Sequence, residues 1–73
     1  MIEKIPFLHR EKLYYIIIRE DIAFTALHGI LDTLVDQGAF LGEPGDPVLY
    51  TVVCEDVKYT VGVDGIDVMI ACA

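Results

Sequence analysis

The chain has 73 residues, a mass of 8.1 kDa and a formal net charge of −7 at pH 7. A chain this short buries only about 60% of the surface that its unfolded form exposes, which excludes a two-domain enzyme, an ordinary dinucleotide-binding domain and a barrel. Its 55% hydrophobic residues exclude a disordered tail, and no apolar run reaches the roughly 18 residues of a membrane span. The first seven residues lack the long apolar stretch of a signal peptide, so we expect one cytoplasmic domain over residues 1–73.

The negative charge is concentrated after residue 20. Nine of the 12 acidic residues follow that position, together with a single basic residue, Lys58. A surface of one sign over most of a small domain disfavours contact with nucleic acid or membranes and favours basic partners. The alternative explanation is solubility, because a net charge of this size is ordinary for a small domain.

The first 19 residues contain two segments, both of which come before the helical spacing of apolar residues begins. Residues 1–11 mix apolar and basic side chains around Pro6 and predict an extended arm or a short edge strand. Residues 12–19 contain a β-branched and aromatic run that is apolar on both faces, the pattern of an interior strand. The sequence leaves open whether this strand lies beside residues 48–54 or beside residues 66–72.

An amphipathic helix is predicted over residues 21–37. Asp21 suits its N-cap or first turn, and Gly38 suits its C-terminal stop. Apolar residues recur there at intervals of three and four, the spacing of one helix face: Ala23, Phe24, Ala26, Leu27, Ile30, Leu31, Leu34 and Val35.

A loop rich in glycine and proline, residues 41–47, is followed by three predicted strands, 48–54, 57–63 and 66–72. Two-residue turns at Glu55-Asp56 and Asp64-Gly65 would join them into an antiparallel meander. This register pairs Cys54 with Val57 and Val63 with Ile66, and it places only apolar side chains on one face of the sheet. The predicted fold is therefore an α+β domain of order β-α-β-β-β, with one helix packed on the meander and an additional N-terminal edge strand as an option.

The other face of the meander leaves Leu49, Val53 and Met69 exposed to water unless something covers them. We favour a homodimer that uses these three residues, with the N-terminal arm folded back over the face as the alternative. In the same register Cys54 and Cys72 lie two strands apart. That separation is too large for a disulfide, so both are expected to be small core residues in a reducing compartment.

Motifs for catalysis, metal binding and phosphate binding are absent from the sequence. His28 and Asp32 are four residues apart on the polar side of the predicted helix, where a solvated pair is the ordinary interpretation. His9 has no neighbour in the sequence that would orient it as a base. The chain has no serine, and the glycines around residues 42–45 lack the lysine of a phosphate-binding loop. We therefore expect neither an enzyme nor a cofactor or metal site, and His28 is the one plausible base if a site forms across a dimer.

The predicted function is that of a non-catalytic interaction protein that docks on the basic surface of a partner and inhibits or regulates it. If the carboxylates imitate a phosphate backbone, the partner would itself be a nucleic-acid-binding protein. Small phage-encoded inhibitors share this small size and acidity, but the comparison is an analogy between types of protein and rests on no shared motif. The alternative is a small regulatory or ligand-binding subunit that works through its apolar second sheet face. The candidate partner-binding residues are the acids of the helix, the loop and the turns: Asp21, Asp32, Asp36, Glu43, Asp46, Glu55, Asp56 and Asp64.

Overall fold

The computed structural model describes residues 2–72, which form a single five-stranded sheet and one helix. The elements are β1 (Glu3–His9), β2 (Lys12–Ile18), α1 (Phe24–Asp36), β3 (Val48–Cys54), β4 (Val57–Asp64) and β5 (Asp67–Cys72). The strand order is β1-β2-β5-β4-β3, with β2 and β5 parallel and all other neighbours antiparallel. The predicted α+β class is confirmed.

The N-terminal arm is an edge strand. β1 pairs with β2 through a two-residue turn, Arg10-Glu11, in which both residues have positive φ, 50° and 65°. This conformation matches the right-handed twist of a hairpin. The alternative in which the arm folds back over the open sheet face is wrong, because the arm extends the sheet sideways. β2 is an interior strand beside β5, one of the two positions that its doubly apolar pattern left open.

The helix begins three residues later than predicted. Ala23 is its N-cap and is extended (φ −62°, ψ 144°), no side chain caps this end, and no acidic residue lies in the first turn. Asp21 is therefore outside the helix, and the prediction that it caps the helix or lies in its first turn is wrong. Residues 19–23 connect the sheet to the helix layer. Hydrophobic periodicity does not predict the length of this connection.

Gly38 ends the helix as predicted. Its φ is +70°, its N–H donates to the carbonyl of Val35, and the N–H of Ala39 donates to the carbonyl of Leu34. These two bonds satisfy carbonyls that the last turn would otherwise leave unpaired, and they define a Schellman motif. Upstream of this end, Leu27, Ile30, Leu31 and Leu34 present one fully buried stripe to the sheet.

The sheet curls so that both of its edge strands contact the helix. On one side, the rings of His28 and β1 residue Phe7 lie 4.8 Å apart. On the other side, a Cβ placed on Gly29 would lie 2.8 Å from the sulfur of β3 residue Cys54. Because real Cβ atoms essentially never come that close, any side chain at position 29 would force the Cys54 sulfur or the helix to shift. The core closes between these edges around Ile16, Val61 and Val68, and its other fully buried side chains come from the helix and β3.

The predicted register is right for one hairpin and shifted for the other. β3 and β4 pair with Cys54 opposite Val57, as predicted. β4 and β5 pair with Val63 opposite Val68, because the turn residues are Gly65-Ile66 and not Asp64-Gly65. Gly65 alone has positive φ (61°), which fits a type II′ turn with glycine first; the predicted turn would need Asp64 in the same region. A shift of two residues keeps the side chains of the paired strands on their predicted faces, whereas Ile66, predicted on the apolar face, is an exposed turn residue.

The shifted register changes the positions of the cysteines. The predicted register places Val57 between the two cysteines, but Cys72 pairs with Tyr59, which in turn pairs with Val52, so the cysteines are not on one cross-strand line. Both thiols are free, as predicted. Cys54 is half-buried, whereas Cys72 is exposed at the end of β5 and is not the core residue that the sequence predicts.

Candidate functional site

The turn between β4 and β5 and the loop that packs on it carry four acidic residues at one end of the sheet. Asp64 and Asp67 face each other across the strand pair on either side of the turn. Asp64 also accepts a hydrogen bond of 2.6 Å from the N–H of Gly45, and Pro44 packs against Gly65. These contacts hold the loop that carries Glu43 and Asp46 beside the turn. We call this group, Glu43, Asp46, Asp64 and Asp67, the acidic end.

A second set of acids lies at the opposite end of the sheet. Glu3, Glu20 and Asp21 line a small hollow of about 120 Å³ together with Arg19. Glu55 and Asp56 form the β3–β4 turn at the same end, both with positive φ. Arg19 places one positive charge within this set, as Lys4 does beside Asp67 at the acidic end, so both ends of the sheet carry a net negative charge.

Desolvation, together with the charges of this second set, raises the pKa of two neighbouring groups. Desolvation, followed by the negative charge of Glu20 and its hydrogen bond, raises the pKa of the Cys72 thiol. Desolvation is also the largest cause of the raised pKa of the Tyr59 hydroxyl, to which the two cysteine thiolates, Glu55 and Glu20 contribute. A raised thiol pKa lowers the thiolate fraction at neutral pH, so Cys72 is exposed without being an activated nucleophile.

The helix carries no continuous acidic face. Asp21 precedes it, and Asp36 is its exposed last residue. The carboxylate of Asp32 is engaged, because one oxygen lies 2.9 Å from His9 Nε2 and 3.1 Å from an Arg10 guanidinium nitrogen. The structure therefore separates the three aspartates that the sequence places along one helix face.

Asp32 belongs to a cluster that joins the β1–β2 hairpin to the helix. His9, which is only 5% exposed, lies between Asp32 and His28, with its Nδ1 atom 2.7 Å from Nδ1 of His28. The expectation that nothing orients His9 is wrong, since both of its ring nitrogens have partners. The expected pairing of His28 with Asp32 is also wrong, because each bonds to His9.

The hydrogen bonds define the tautomers of this cluster. An ionised Asp32 only accepts, so His9 must donate from Nε2 and, when neutral, accept at Nδ1. His28 must then donate from its own Nδ1, which leaves the lone pair on Nε2 as its free nitrogen. His28 itself is an exposed residue. The chain Asp32–His9–His28 therefore fixes which ring nitrogen of an exposed histidine keeps its free lone pair.

This cluster does not have the geometry of a metal site. The facing Nδ1 atoms are at hydrogen-bonding distance, and the third group, Asp32, is already neutralised by Arg10. Across residues 2–72 no group of three or more His, Cys, Asp or Glu side chains is arranged to hold a metal ion.

Sequence reasoning missed His9 because its partners are 19 and 23 residues away. The available signal was the alternation of β1: His9 shares a face with Ile5 and Phe7, the face that turns toward the helix. A histidine on that face needs polar partners, and His28 and Asp32 are the nearest candidates on the polar side of the helix.

The three predicted dimer residues lie on the sheet face opposite the helix, which we call the open face. Leu49, Met69 and Val53 are 76%, 41% and 65% exposed. Gly62 lies between the first two, with both side chains close to its Cα. Leu49, Met69 and β2 residue Ile17 border a shallow groove of about 360 Å³ whose rim includes Arg19 and Glu20.

No family model matches the chain, and no curated protein or solved structure matches it either. Within residues 2–72 no helix has the length and apolar composition needed to cross a membrane.

Proposed function

We propose that this chain is a non-catalytic interaction protein that binds a basic surface of a partner protein through its acidic end. The observation that carries the proposal is the concentration of Glu43, Asp46, Asp64 and Asp67 at one end of the sheet. Among residues 2–72, Lys4 is the cation within 4 Å of this group, with its nitrogen 3.8 Å from Asp67. Arg10 and Lys12 lie at the same end of the sheet, on the β1–β2 hairpin, and Arg10 is paired with Asp32. The four carboxylates outnumber the one lysine that is paired with them.

The acidic end is also preorganised. The Gly45–Asp64 hydrogen bond and the packing of Pro44 against Gly65 hold the loop against the turn between β4 and β5. Ordered charges lose less conformational entropy on binding than charges on a mobile tail, so the same number of carboxylates binds more tightly. Charge complementarity of this kind accelerates association and selects basic partners.

Charge reversal at the acidic end tests this proposal. Glu43→Lys/Asp46→Lys changes two exposed loop residues and spares Asp64, which the loop needs for its conformation. Glu20→Lys/Asp21→Lys is the matched control, since it changes the net charge equally at the opposite end. Each form is used to capture proteins from a bacterial lysate at about 50 mM salt, and the capture is repeated at about 500 mM, where the screening length falls below 5 Å.

We expect the wild type and the control to retain a basic nucleic-acid-binding protein at low salt and to release it at high salt. The Glu43/Asp46 variant should lose roughly tenfold or more in affinity for the same purified protein. Equal losses in both variants would show that total charge, and not the acidic end, controls binding. Displacement of the chain by duplex DNA would support the stronger form of the proposal, in which the carboxylates imitate a phosphate backbone and inhibit the partner.

A second candidate function follows from the groove on the open face. Its apolar border of Ile17, Leu49 and Met69 is the kind of surface through which a small regulatory or ligand-binding subunit works. Binding through this groove would be insensitive to salt and would be lost in Met69→Lys, with the acidic-end variant unaffected.

A further inference from the structure

The outer edge of β3 has unpaired backbone groups. β3 and β4 are joined by a two-residue turn with Cys54 opposite Val57, so Cys54, Val52, Tyr50 and Val48 bond inward to β4. The intervening residues Leu49, Thr51 and Val53 direct their N–H and C=O groups outward. No backbone hydrogen bond among residues 2–72 uses these outward groups, and all three residues are exposed.

The other edge of the sheet is protected against strand pairing. The same turn geometry at Arg10-Glu11 makes Lys4, Pro6 and Leu8 the outward residues of β1. Pro6, in the middle, has no N–H to donate, and Lys4 adds a charge; both are common ways of blocking an edge strand. β3 has neither protection, since its sequence VLYTVVC contains no proline and no charged residue.

We infer that the chain forms a symmetric dimer in which β3 pairs antiparallel with β3 of a second copy, with Thr51 opposite Thr51 of the partner subunit. In this register Leu49 lies opposite Val53 of the partner subunit, and the reverse. All three outward residues of each copy are then paired, whereas a shift by two residues in either direction leaves one of them beyond the end of the partner strand. The contact is isologous and closes on itself.

The uncharged character of β3 identifies the occupant as a second copy. β3 has no carboxylate to which a basic partner segment could bind. Two copies of an uncharged strand, by contrast, can pair because no like charges face each other in the contact. The pairing would join two five-stranded sheets and place both open faces on the same side. It uses Leu49 and Val53 of the predicted dimer residues, while Met69, on β5, stays outside the contact.

This inference goes beyond the proposed function and is tested without any partner. Backbone amide exchange is measured at about 10 µM and about 1 mM protein, which changes the dimer fraction by mass action. We expect exchange at Leu49, Thr51 and Val53 to slow by about tenfold or more at the higher concentration. Leu8, an outward residue of the protected edge, is the internal control and should exchange equally fast at both concentrations.

Two matched substitutions locate the interface. Thr51→Lys places two lysines opposite each other at the symmetry axis and should give a monomer in sedimentation experiments at about 1 mM. Thr60→Lys makes the same change on the same face one strand inward, at the cross-strand neighbour of Thr51, and should leave the dimer intact. Thr51→Val keeps the backbone donor and should also dimerise.

A wild type that stays monomeric at 1 mM would overturn the inference, as would a Thr51→Lys variant that still dimerises while its circular dichroism shows a native fold. The outcome is independent of the acidic end, because the Glu43→Lys/Asp46→Lys variant should still form this dimer. Higher salt should strengthen the dimer by screening two copies of charge −7, whereas it should weaken binding to a basic partner.

Discussion

At the scale of single residues, the helix approaches the β3 edge closely because Gly29 has no side chain. A methyl group there would lie 2.8 Å from the sulfur of Cys54. We expect Gly29→Ala to destabilise the fold by about 1–3 kcal/mol through overpacking, even though alanine favours a helix by about 1 kcal/mol over glycine. Urea unfolding measures the change.

The Cys54→Ala background provides the control for Gly29. If the sulfur is the obstacle, Gly29→Ala should become neutral or stabilising when Cys54→Ala is present, so the two changes should be non-additive. Additive effects would mean that the substitution acts on something other than this contact.

The histidine cluster makes a prediction about tautomers. His9 should carry its proton on Nε2 and His28 on Nδ1, because Asp32 only accepts hydrogen bonds. Nitrogen-15 NMR of the imidazole rings distinguishes the two forms at a pH where both rings are neutral. Asp32→Leu, which removes the acceptor oxygen, should abolish the Nδ1–H preference of His28, and Asp36→Leu, on the same helix, should leave it unchanged.

The thiol of Cys72 makes a prediction about reactivity. Desolvation is the main cause of its raised pKa, and Glu20 contributes through charge and a hydrogen bond. Glu20→Gln should lower this pKa, raise the thiolate fraction at a given pH and speed alkylation severalfold in a Cys54→Ala background. Glu55→Gln is the matched control because Glu55 is not among the causes of the shift. An unchanged alkylation rate in Glu20→Gln would contradict the assigned cause.

At the scale of elements, the end of the helix depends on the left-handed conformation of Gly38. Gly38→Ala should cost roughly 1 kcal/mol of unfolding free energy, because alanine at φ +70° is strained. Gly42→Ala is the control: nothing lies within 4 Å of its Cβ position, so its effect should stay within about 0.5 kcal/mol. Thermal unfolding of both variants makes the comparison, and equal melting temperatures would contradict the role of Gly38.

Part of the arrangement of elements could be predicted from local sequence patterns, and part could not. The helix body, its stop at Gly38 and the β3–β4 register follow from local periodicity and turn residues. The β4–β5 register does not, because an Asp-Gly pair fits two adjacent turns and the choice depends on Gly65 taking positive φ while Asp64 bonds to Gly45. The start of the helix depends on the path from sheet to helix layer, which no local pattern encodes.

The candidate sites were predictable only where they are local. Leu49, Val53 and Met69 were placed on the open face because alternation fixes the face of a strand residue, and this holds under a two-residue register shift. The joining of the 41–47 loop to the β4–β5 turn and the burial of His9 against the helix both depend on tertiary contacts. Their partners are 19 or more residues apart, so the sequence contains no local signal for them.

At the scale of the whole molecule, three parts of the surface have different chemistry. The acidic end carries four carboxylates, the open face is apolar around Leu49 and Met69, and the β3 edge, which borders the open face, has no charged residue. We therefore expect the domain to bind a basic partner and a second copy of itself through different residues. The predicted partner binding and the inferred dimer therefore respond oppositely to salt.

The most direct test of the central claim is to locate the contact with the captured basic partner on the chain itself. Amide chemical shifts of the labelled protein are followed as the purified partner is added at about 50 mM salt. We expect the largest perturbations to fall on residues 43–46 and 64–67. Perturbations centred on Ile17, Leu49 and Met69, with the acidic end unaffected, would contradict it and assign binding to the open face.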